Sequence, residues 1–564
     1  MKGRPRRILL ILPLLLWTWW AGPIRADEAA RMIEEPGLHG SHGLVGDPTN
    51  PLTGEYLFSR TDLTVPGVGI PFEFTRAYGS NSSINGPLGP KWTHTYNRTL
   101  TMLWNYSMDV RDEQGRRWHY RFIPDPEIPV DSFDGDPLIE ISLDLGYFVS
   151  SVLNSNTLHR NLDGTYVERT KEGLEYHYDG YWAKWRGENQ KPTAGKLLSI
   201  TDRNGNRISL TYDEEGRLIR VEDTVGRRYD LFYEGHLLVE LRDPEDRRWR
   251  YGYDESGRLT QVANPIGAIW QFAYDSEGRM TRRTSPLGPS VRYRYDEEGR
   301  VSEVFGLDGS LINRFRYERG DLLRTEYTDM AGGKTVYVFD ATGHLIEVQH
   351  PSGGVTQHEY DDGFNRIRSA YSEEGETRAR YDERKNVVEW FEPSGEAYRF
   401  TYEPDFNGVT RIVDGRGNVT ELTYDDRGNL IRVVDPQNGT TRYTYHRNGL
   451  PATVTDPEGR VTAFVYDEQG NLVTRMEHDG ALTRYTYDGL GNLLSETDPA
   501  GRTTRYHYDE LGQVVRVDEP SGAQHRYTYD LEGNLVAYED PSGRIHRWPY
   551  DRLGRTWPSL GEID

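Results

Sequence analysis

The 564-residue sequence contains no cysteine. This absence excludes disulfide bonds, thiol nucleophiles, zinc–thiolate sites and a lipid-modified N-terminal cysteine. Basic residues are also in deficit, because 67 lysines and arginines stand against 89 acidic residues and give a formal net charge of −22. Binding through phosphates needs a net basic surface, so nucleic acid is not expected as a partner.

Long apolar runs are missing as well, except for one near the N-terminus. Ile8–Trp20 follows a basic stretch that ends at Arg7 and precedes Ile24–Ala26, which resembles a cleavage site. The run is too short to span a bilayer comfortably. We therefore predict a signal peptide over residues 1–26, a polar linker over 27–42 and a secreted or cell-envelope protein. Three tryptophans in the run leave an uncleaved membrane anchor as the alternative.

Aromatic and turn-forming residues, in contrast, are abundant. The chain has 38 tyrosines and 13 tryptophans, which suit strands, and 59 glycines and 30 prolines, which suit turns. Ordinary domain sizes would divide a chain of this length into three or four domains. A repeat array would instead extend one sheet.

A repeat of about 21 residues runs through the C-terminal two-thirds of the chain. An aromatic residue recurs with spacings of 20, 21 or 22 residues. We call these residues the closing aromatics, and they are Tyr212, Tyr233, Tyr253, Tyr274, Tyr295, Tyr317, Phe339, Tyr360, Tyr381, Tyr402, Tyr424, Tyr445, Tyr466, Tyr487, Tyr508, Tyr529 and Tyr550. Such regular spacing indicates one supersecondary unit repeated along the chain.

Each repeat is predicted to be two strands and two turns. Thr503–Asp509 alternates polar and aromatic residues, which is the period of a strand. Glu510–Gln513 then supplies a turn with Gly512 free to take a positive φ, and Val514–Asp518 forms the return strand. The aspartate after each closing tyrosine is expected to be structural, accepting hydrogen bonds from backbone amides two or three residues on.

These units define the predicted organisation. A β module over residues 43–161 precedes a repeat shell over 162–551 and a short tail over 552–564. An earlier unit ends at Tyr178, and an insertion within Gly180–Ala194 separates it from the next unit. The predicted fold class is all-β, with tandem hairpins in one long, curled antiparallel sheet. A β-solenoid is the alternative, although its coils rarely carry two hairpin turns per repeat.

Two sets of motifs carry a family resemblance. The pattern Y-D-x-x-G-[NR]-L occurs at Tyr253–Leu259, Tyr424–Leu430 and Tyr529–Leu535. Gly46–Gly54 and Gly86–His94 are similar to the two signatures of the domain that precedes the repeats in many bacterial Rhs proteins. The chain thus resembles the Rhs/YD-repeat family, which includes the shells of toxin-complex components and teneurins.

The resemblance implies an open or partial cocoon-like shell. In the toxin members, the shell encloses a C-terminal effector that is released after cleavage at a D-P-x-G core motif; eukaryotic relatives use the shell in adhesion, and glycan binding has been proposed for the repeats. Here only Arg552–Asp564 follow the last repeat, and no convincing cleavage segment precedes them. An incomplete chain, an effector on another chain and a shell without cargo all remain open. An unpaired last strand would favour self-association.

No catalytic, cofactor-binding or metal-binding residue is predicted. Histidines lack metal spacing, and G-x-S-x-G and P-loop motifs are absent from the sequence. His94 is expected to be packed or hydrogen-bonded. The acidic cluster Asp131–Asp136 lacks the later glutamate of a calcium loop. The repeat tyrosines could stack on sugars, but cross-strand ladders explain them more simply.

The predicted function is that of an exported YD-repeat shell without intrinsic catalysis, acting as a container, a scaffold or a cell-surface interaction module. One alternative is a truncated or split polymorphic toxin component whose effector is missing or encoded separately. The other is a carbohydrate- or cell-wall-binding protein. The partners expected are a protein cargo or effector, glycans and a second copy of the chain.

Overall fold

The computed structural model describes residues 45, 48–103, 107–124, 146–150, 156–180, 191–372 and 374–548. The predicted signal peptide, linker and tail lie outside these residues. So do the acidic cluster Asp131–Asp136 and most of the predicted insertion within Gly180–Ala194.

The described residues form strands and turns and contain no helix. A helix long and apolar enough to cross a membrane is accordingly not found among them. The N-terminal strands are β1 Leu57–Val65, β2 Phe72–Gly79, β3 Asn85–Gly86, β4 Gly89–Pro90 and β5 Trp92–His94. The next strands are β6 Thr99–Met102, β7 Met108–Arg111, β8 Arg117–Pro124, β9 Gly146–Ser150, β10 Thr157–Arg160, β11 Tyr166–Arg169 and β12 Glu175–Tyr178.

The repeat strands follow in pairs. Up to residue 381 they are β13 Leu197–Thr201, β14 Arg207–Tyr212, β15 Leu218–Glu222, β16 Arg228–Glu234, β17 Leu237–Arg242, β18 Arg248–Tyr253, β19 Leu259–Ala263, β20 Ile269–Tyr274, β21 Met280–Thr284, β22 Ser290–Tyr295, β23 Val301–Phe305, β24 Leu311–Arg319, β25 Leu323–Thr328, β26 Lys334–Phe339, β27 Leu345–Gln349, β28 Val355–Tyr360, β29 Arg366–Tyr371 and β30 Gly375–Tyr381. After residue 381 they are β31 Val387–Phe391, β32 Ala397–Tyr402, β33 Val409–Val413, β34 Val419–Tyr424, β35 Leu430–Val434, β36 Thr440–Tyr445, β37 Pro451–Thr455, β38 Val461–Tyr466, β39 Leu472–Met476, β40 Leu482–Tyr487, β41 Leu493–Thr497, β42 Thr503–Tyr508, β43 Val514–Asp518, β44 Gln524–Tyr529, β45 Leu535–Glu539 and β46 Ile545–Arg547.

The strands from β6 onward form one antiparallel sheet in chain order. Each strand pairs with the strand before it and the strand after it, and the first strand of most repeats ends at a closing aromatic, as at Tyr508. The predicted all-β fold of tandem hairpins is confirmed. The solenoid alternative is wrong, because neighbouring strands are joined by tight turns and run antiparallel rather than stacking as parallel coils.

The long sheet begins before the repeat motif does. β6 to β10 lie within the predicted N-terminal module, yet β9 pairs with β10 and β10 pairs with β11, so they are strands of the long sheet. Pairing in this sheet requires extended strands with one apolar face. The buried side chains of Leu100, Val110, Tyr120 and Leu158 form that face on these strands. Only β1, β2 and β5, with the β3–β4 hairpin, form separate sheets. We call residues 45–96 the N-terminal module.

The sheet winds back onto itself. Asn204, in the turn after β13, exchanges two side-chain hydrogen bonds of 3.0 Å with Asn429, in the turn after β34. Arg227 donates to the carbonyl of Leu490 at 3.0 Å. These partners are 225 and 263 residues apart. We call β10–β30 the first winding and β31–β46 the second winding; their turns meet along this seam.

A tyrosine hydroxyl ties most repeats to the previous one. Tyr212 donates to the carbonyl of Leu197 at 2.7 Å, fifteen residues earlier. The same contact recurs in both windings, for example from Tyr445 to Leu430 at 2.7 Å. The acceptor residue begins the return strand of the preceding repeat. The predicted ladder role of these tyrosines is therefore confirmed, with the hydroxyl as well as the ring contributing.

Candidate functional site

The turn aspartates have a structural role. Asp213 accepts hydrogen bonds at Oδ1 from the backbone N–H groups of Glu215 at 3.1 Å and Arg217 at 2.8 Å, and at Oδ2 from the Arg217 Nε–H group at 2.7 Å. The amides are two and four residues on, whereas the sequence predicted two or three. The shift arises because the backbone N–H of Gly216 bonds to the carbonyl of Asp213 instead. These hydrogen bonds contribute to a lowered pKa of Asp213, against the opposing effect of desolvation.

The surface of interest is the apolar face of the sheet. Its central positions are the residues two before the closing aromatics, which we call the inner row. In the first winding the inner row includes Leu210, Leu231, Tyr251, Phe272, Tyr293 and Phe315, all buried. In the second winding it includes Tyr443, Phe464, Tyr485, Tyr506 and Tyr527.

The N-terminal module covers the inner face of the first winding. Phe72 stacks on Tyr229 with ring centroids 3.5 Å apart and planes within 3°. Trp92 and Phe58 pack against Phe272 at centroid distances of 5.1 and 5.9 Å. Aromatic contacts of this kind add to the burial of large apolar surfaces. This part of the shell is therefore a packed core and not a cavity.

A buried ion pair within the module also contacts the shell. Asp62 accepts two hydrogen bonds from Arg76, at 2.7 and 2.9 Å, and a third from the Tyr251 hydroxyl at 3.0 Å. The side chains of Arg76 and Asp62 are 0% and 4% exposed. Because a buried charge is costly without its partner, this contact fixes the position of the module on β18.

The module also covers the Y-D turns of the first winding. The Tyr78 hydroxyl donates to the carbonyl of Gly278 at 3.0 Å and accepts from the backbone N–H of Met280 at 2.8 Å. The backbone N–H of Val301 donates to the carbonyl of Gly54 at 2.9 Å. One rim of the first winding is thus closed by the module.

The inner row of the second winding has a different environment. Tyr485 is 7% exposed, but Tyr443, Phe464, Tyr506 and Tyr527 are only partly buried. The module reaches the second winding at its turns, where Arg60 donates to the carbonyl of Glu532 at 3.4 Å. Within the described residues, the inner row from β36 to β44 carries no layer comparable to β1, β2 and β5. This uncovered aromatic face is the candidate functional site.

A histidine–tyrosine cluster ends the uncovered face. Tyr538 stacks on Tyr527 at 5.2 Å, and its hydroxyl lies 2.6 Å from Nδ1 of His525. His525 Nε2 lies 3.0 Å from Glu519. The order carboxylate–histidine–hydroxyl resembles a nucleophile with its base. Desolvation and the nearby Asp540 carboxylate raise the pKa of Tyr538, however, so its hydroxyl stays protonated and suits hydrogen bonding better than nucleophilic attack.

The remaining titratable groups favour a structural role too. Burial raises the pKa of Tyr508 and of Tyr529 to about 12, which keeps both hydroxyls protonated. His94 is buried, stacks on Phe74 at 4.9 Å and accepts a hydrogen bond from the Tyr96 backbone, as predicted. The part of the chain that the structure describes contains no group of three metal-ligating side chains.

Comparisons with known proteins identify the repeat. The family model described as RHS Repeat matches residues 193–228, 234–269, 253–290, 274–304, 405–440, 424–461, 445–481, 466–503, 487–524 and 508–545. A domain of unknown function, DUF6531, matches residues 46–120, which comprise most of the N-terminal module and the first strands of the long sheet.

A curated relative is the probable deoxyribonuclease RhsB of Dickeya dadantii (strain 3937), which is 26% identical over 415 residues. The alignment covers 72% of this chain and 24% of the relative, so the chain spans about a quarter of that protein's length.

Similar solved structures include toxin-complex assemblies. The TcdB2–TccC3 structure without the hypervariable C-terminal region is 15% identical, with 84% of this chain and 28% of that chain covered and a TM-score of 0.40. The Photorhabdus luminescens Tc holotoxin pore is 13% identical, with 84% and 30% covered and a TM-score of 0.36. The sequence motifs, the matched repeats and the wound sheet of hairpins agree, and the chain belongs to the RHS-repeat (YD-repeat) family.

Proposed function

We propose that the chain is an exported shell that holds an extended protein cargo against the uncovered inner face of its second winding, without catalysis of its own. The observation that carries the proposal is the difference between the windings. The inner row is buried from β14 to β24, where the β module covers much of it, whereas from β36 to β44 every member but Tyr485 is only partly buried. Exposed apolar surface bounded by polar turns is typical of an interaction site.

The dimensions of this face favour a polypeptide over a small molecule. The inner row from β36 to β44 crosses nine strands, which at about 4.8 Å per strand gives a length of about 40 Å. Tyrosines such as Tyr506 and Tyr527 offer both an apolar ring and a hydroxyl. An extended polypeptide can pack alternate apolar side chains against the rings and form hydrogen bonds from its backbone to the hydroxyls.

A matched pair of variants tests the proposal. The probe is reduced, carboxymethylated α-lactalbumin, an unfolded chain, whose binding is measured by fluorescence anisotropy. Tyr506→Ser combined with Tyr527→Ser is expected to weaken binding at least tenfold, because two large apolar contacts are lost. Thr486→Ala combined with Thr528→Ala alters exposed side chains of the opposite face and should change binding less than twofold. Equal binding by both variants, or none by the native chain, would contradict the proposal.

The toxin-component alternative rests on one specific observation. The matched relative is named a probable deoxyribonuclease, and this chain corresponds to only a quarter of it. In that case a nuclease or other effector would be supplied by a further segment or by another chain. We expect the chain alone to leave linear double-stranded DNA intact in the presence of Mg²⁺ or Zn²⁺. Degradation that purifies with the chain would show intrinsic catalysis instead.

Export is the remaining part of the proposal. Expression from the native N-terminus in a bacterial host should yield a periplasmic or extracellular product that begins at Asp27, because Ile24–Ala26 resembles a cleavage site. Intact mass measurement distinguishes this product from an uncleaved, membrane-associated chain.

A further inference from the structure

Four neighbouring turns on one rim of the first winding carry exposed aliphatic side chains. The turns follow β19, β21, β23 and β25. Their exposed residues, which we call the apolar tips, are Ile266, Leu287, Leu307 and Met330, and these are 39, 47, 60 and 67% exposed. Successive turns on one rim are two strands apart, so the tips form a row about 30 Å long at about 4.8 Å per strand.

The corresponding turns of the second winding are polar. The turns that follow β31, β33, β35, β37, β39, β41, β43 and β45 each begin with aspartate or glutamate, as in Asp456–Arg460 and Glu519–Ala523, and contain no leucine, isoleucine or methionine. The turns Asn264–Ala268 and Ser285–Pro289, in contrast, contain no charged residue. The row of apolar tips is therefore a local feature and not a property of the repeat. Large apolar side chains exposed side by side mark an interaction surface.

The tips project from closed turns. The backbone N–H of Ser285 donates to the carbonyl of Pro289 at 2.9 Å, and that of Gly306 donates to the carbonyl of Ser310 at 2.9 Å. These hydrogen bonds continue the ladders of the two hairpins to their ends. The exposure of Leu287 therefore follows from a defined turn that holds the side chain beyond the edge of the sheet.

A cavity of about 420 Å³ lies on the outer face of the sheet, and the residues that line it include Arg282, Arg292 and Gly309. Gly309 lies in the turn that carries Leu307. Arg282 and Arg292 lie in the hairpin that carries Leu287, about 7 Å from its last ladder pair at about 3.3 Å per residue. The cavity is thus at the base of two of the apolar tips.

The charge at this cavity is positive. Arg282 lies directly opposite Arg292 in the ladder, and both side chains are exposed. Like charges directly opposite each other in a sheet are unfavourable. Among the described residues, the neighbouring Arg294 is paired with Glu303 at 3.1 Å, whereas no ion pair joins Arg282 or Arg292 to a carboxylate. An anion bound between these two guanidinium groups would relieve their repulsion.

The carboxylates of the neighbouring turns are engaged within those turns. Asp308 accepts a hydrogen bond from the backbone N–H of Ser310 at 3.0 Å, and Asp329 accepts one from the backbone N–H of Gly333 at 2.8 Å. Lys334 follows the turn of Met330 and is exposed. The rim therefore combines apolar tips with basic side chains set behind them.

We propose that this rim docks onto a lipid bilayer that contains anionic phospholipids. The apolar tips enter the acyl region, while Arg282 and Arg292 bind the phosphate of a headgroup at the cavity. The planar fork of arginine matches phosphate oxygens. Apolar side chains backed by basic ones are the combination that holds a protein at a bilayer surface. The net charge of −22 opposes docking only weakly, because at about 0.15 M salt charges more than about 8 Å away are largely screened. The proposal is independent of the cargo proposed for the second winding.

Co-sedimentation of the full chain with vesicles tests the role of the tips. The vesicles contain equal parts of phosphatidylglycerol and phosphatidylcholine, and the native chain should bind them at least tenfold more tightly than vesicles of phosphatidylcholine alone. The tip variant is Leu287→Ser with Leu307→Ser and Met330→Ser. Its binding should be at least tenfold weaker, since three aliphatic side chains no longer enter the bilayer. The control changes residues of the second winding that are 42, 52 and 44% exposed and should stay within twofold of native; it is Val461→Ser with Val465→Ser and Met476→Ser.

A second pair of variants tests the arginines. Arg282→Gln with Arg292→Gln should bind the mixed vesicles at least tenfold more weakly, since each basic side chain at an anionic surface contributes about a factor of five. Its binding to vesicles of phosphatidylcholine alone should not change. The control, Arg432→Gln with Arg442→Gln, alters an opposed pair beside a polar turn and should stay within twofold of native.

A single cysteine reports insertion directly, because the chain has none of its own. An environment-sensitive nitrobenzoxadiazole group on Leu307→Cys should gain fluorescence on mixed vesicles, and the same label on Val465→Cys should not. No binding of the native chain to mixed vesicles, equal losses in a variant and its control, or no gain at Leu307→Cys would overturn the proposal. Weaker binding in the arginine variant with native binding in the tip variant would indicate a site for the phosphate alone and overturn the assignment to a bilayer.

Discussion

Removing the buried carboxylate of Asp62 should destabilise the N-terminal module and weaken its contact with the shell. In Asp62→Ala, the Arg76 guanidinium stays buried without its two hydrogen bonds of 2.7 and 2.9 Å, and the Tyr251 hydroxyl loses an acceptor at 3.0 Å. The Nη1 atom of Arg76 already has no partner in the structure. The Arg76 guanidinium therefore has no other acceptor among the described residues within hydrogen-bond distance to replace the Asp62 carboxylate.

The magnitude follows from the burial of the pair. Breaking a buried ion pair by removing one partner costs about 3–5 kcal/mol, because the remaining charge is uncompensated. The loss of one hydrogen bond to a buried hydroxyl adds about 1 kcal/mol. Water entry would reduce the sum, so we expect a loss of about 3–4 kcal/mol in the free energy of unfolding of the module on the shell.

Two measurements check this prediction. Trp92 donates to the Tyr274 hydroxyl at 2.9 Å across the same interface, so the difference in fluorescence between chains with and without Trp92→Phe reports docking during urea unfolding. Limited proteolysis of the native state reports opening of the module. Asp62→Leu with Arg76→Met, which removes both charges, should recover much of the loss. A cost below about 1 kcal/mol for Asp62→Ala, or no recovery in the double variant, would refute the reasoning.

Three further predictions concern the ladder, the seam and acid stability. Tyr445→Phe should cost about 1 kcal/mol of unfolding free energy, since the hydrogen bond of 2.7 Å to the Leu430 carbonyl is lost. Asn429→Leu should cost about 1–2 kcal/mol in the same urea assay, since the two hydrogen bonds with Asn204 are lost at the seam. Desolvation lowers the pKa of His94 to about 3. Because the unfolded chain binds a proton at His94 below about pH 6.5 and the folded chain does not, the contribution of His94 to the free energy of unfolding is fully present above that pH. It is lost below that pH by about 1.4 kcal/mol per pH unit. His94→Gln should flatten this slope between about pH 6.5 and pH 4.

Each of these predictions has its own control. Tyr371→Phe removes a hydroxyl from a more exposed ring, 37% exposed, and should change stability by less than 0.5 kcal/mol. Asn418→Leu alters an exposed turn amide that bonds only within its own turn, so its cost should be smaller than that of Asn429→Leu. An unchanged pH slope in His94→Gln would show that other groups dominate acid unfolding.

Much of the fold could be predicted because the repeat is local. Most closing aromatics mark the end of a strand, as at Tyr212 and Tyr508, since strand, turn and return strand all lie within about 21 residues. The strand at which the long sheet begins could not be predicted from the sequence. The strands β6 to β12 follow one another at irregular sequence spacings. Only the alternation of side chains along each strand therefore indicates that they pair with their neighbours.

The winding could not be predicted from the repeat. Its pitch is the sum of small twists between many neighbouring strands, and no single repeat encodes that sum. The seam shows the consequence, because Asn204 and Asn429 are 225 residues apart and stand in turns like many others.

The candidate site depends on the same kind of distant information. The inner-row residues Tyr293 and Tyr506 stand at equivalent repeat positions, yet Tyr293 is 3% exposed and Tyr506 is only partly buried. What separates them is the N-terminal module, which folds from residues far from either one and packs on the inner row of the first winding, while it touches the second winding at its turns. A repeat sequence therefore specifies a face that can be packed, while the extent of the N-terminal module decides which part of that face it covers.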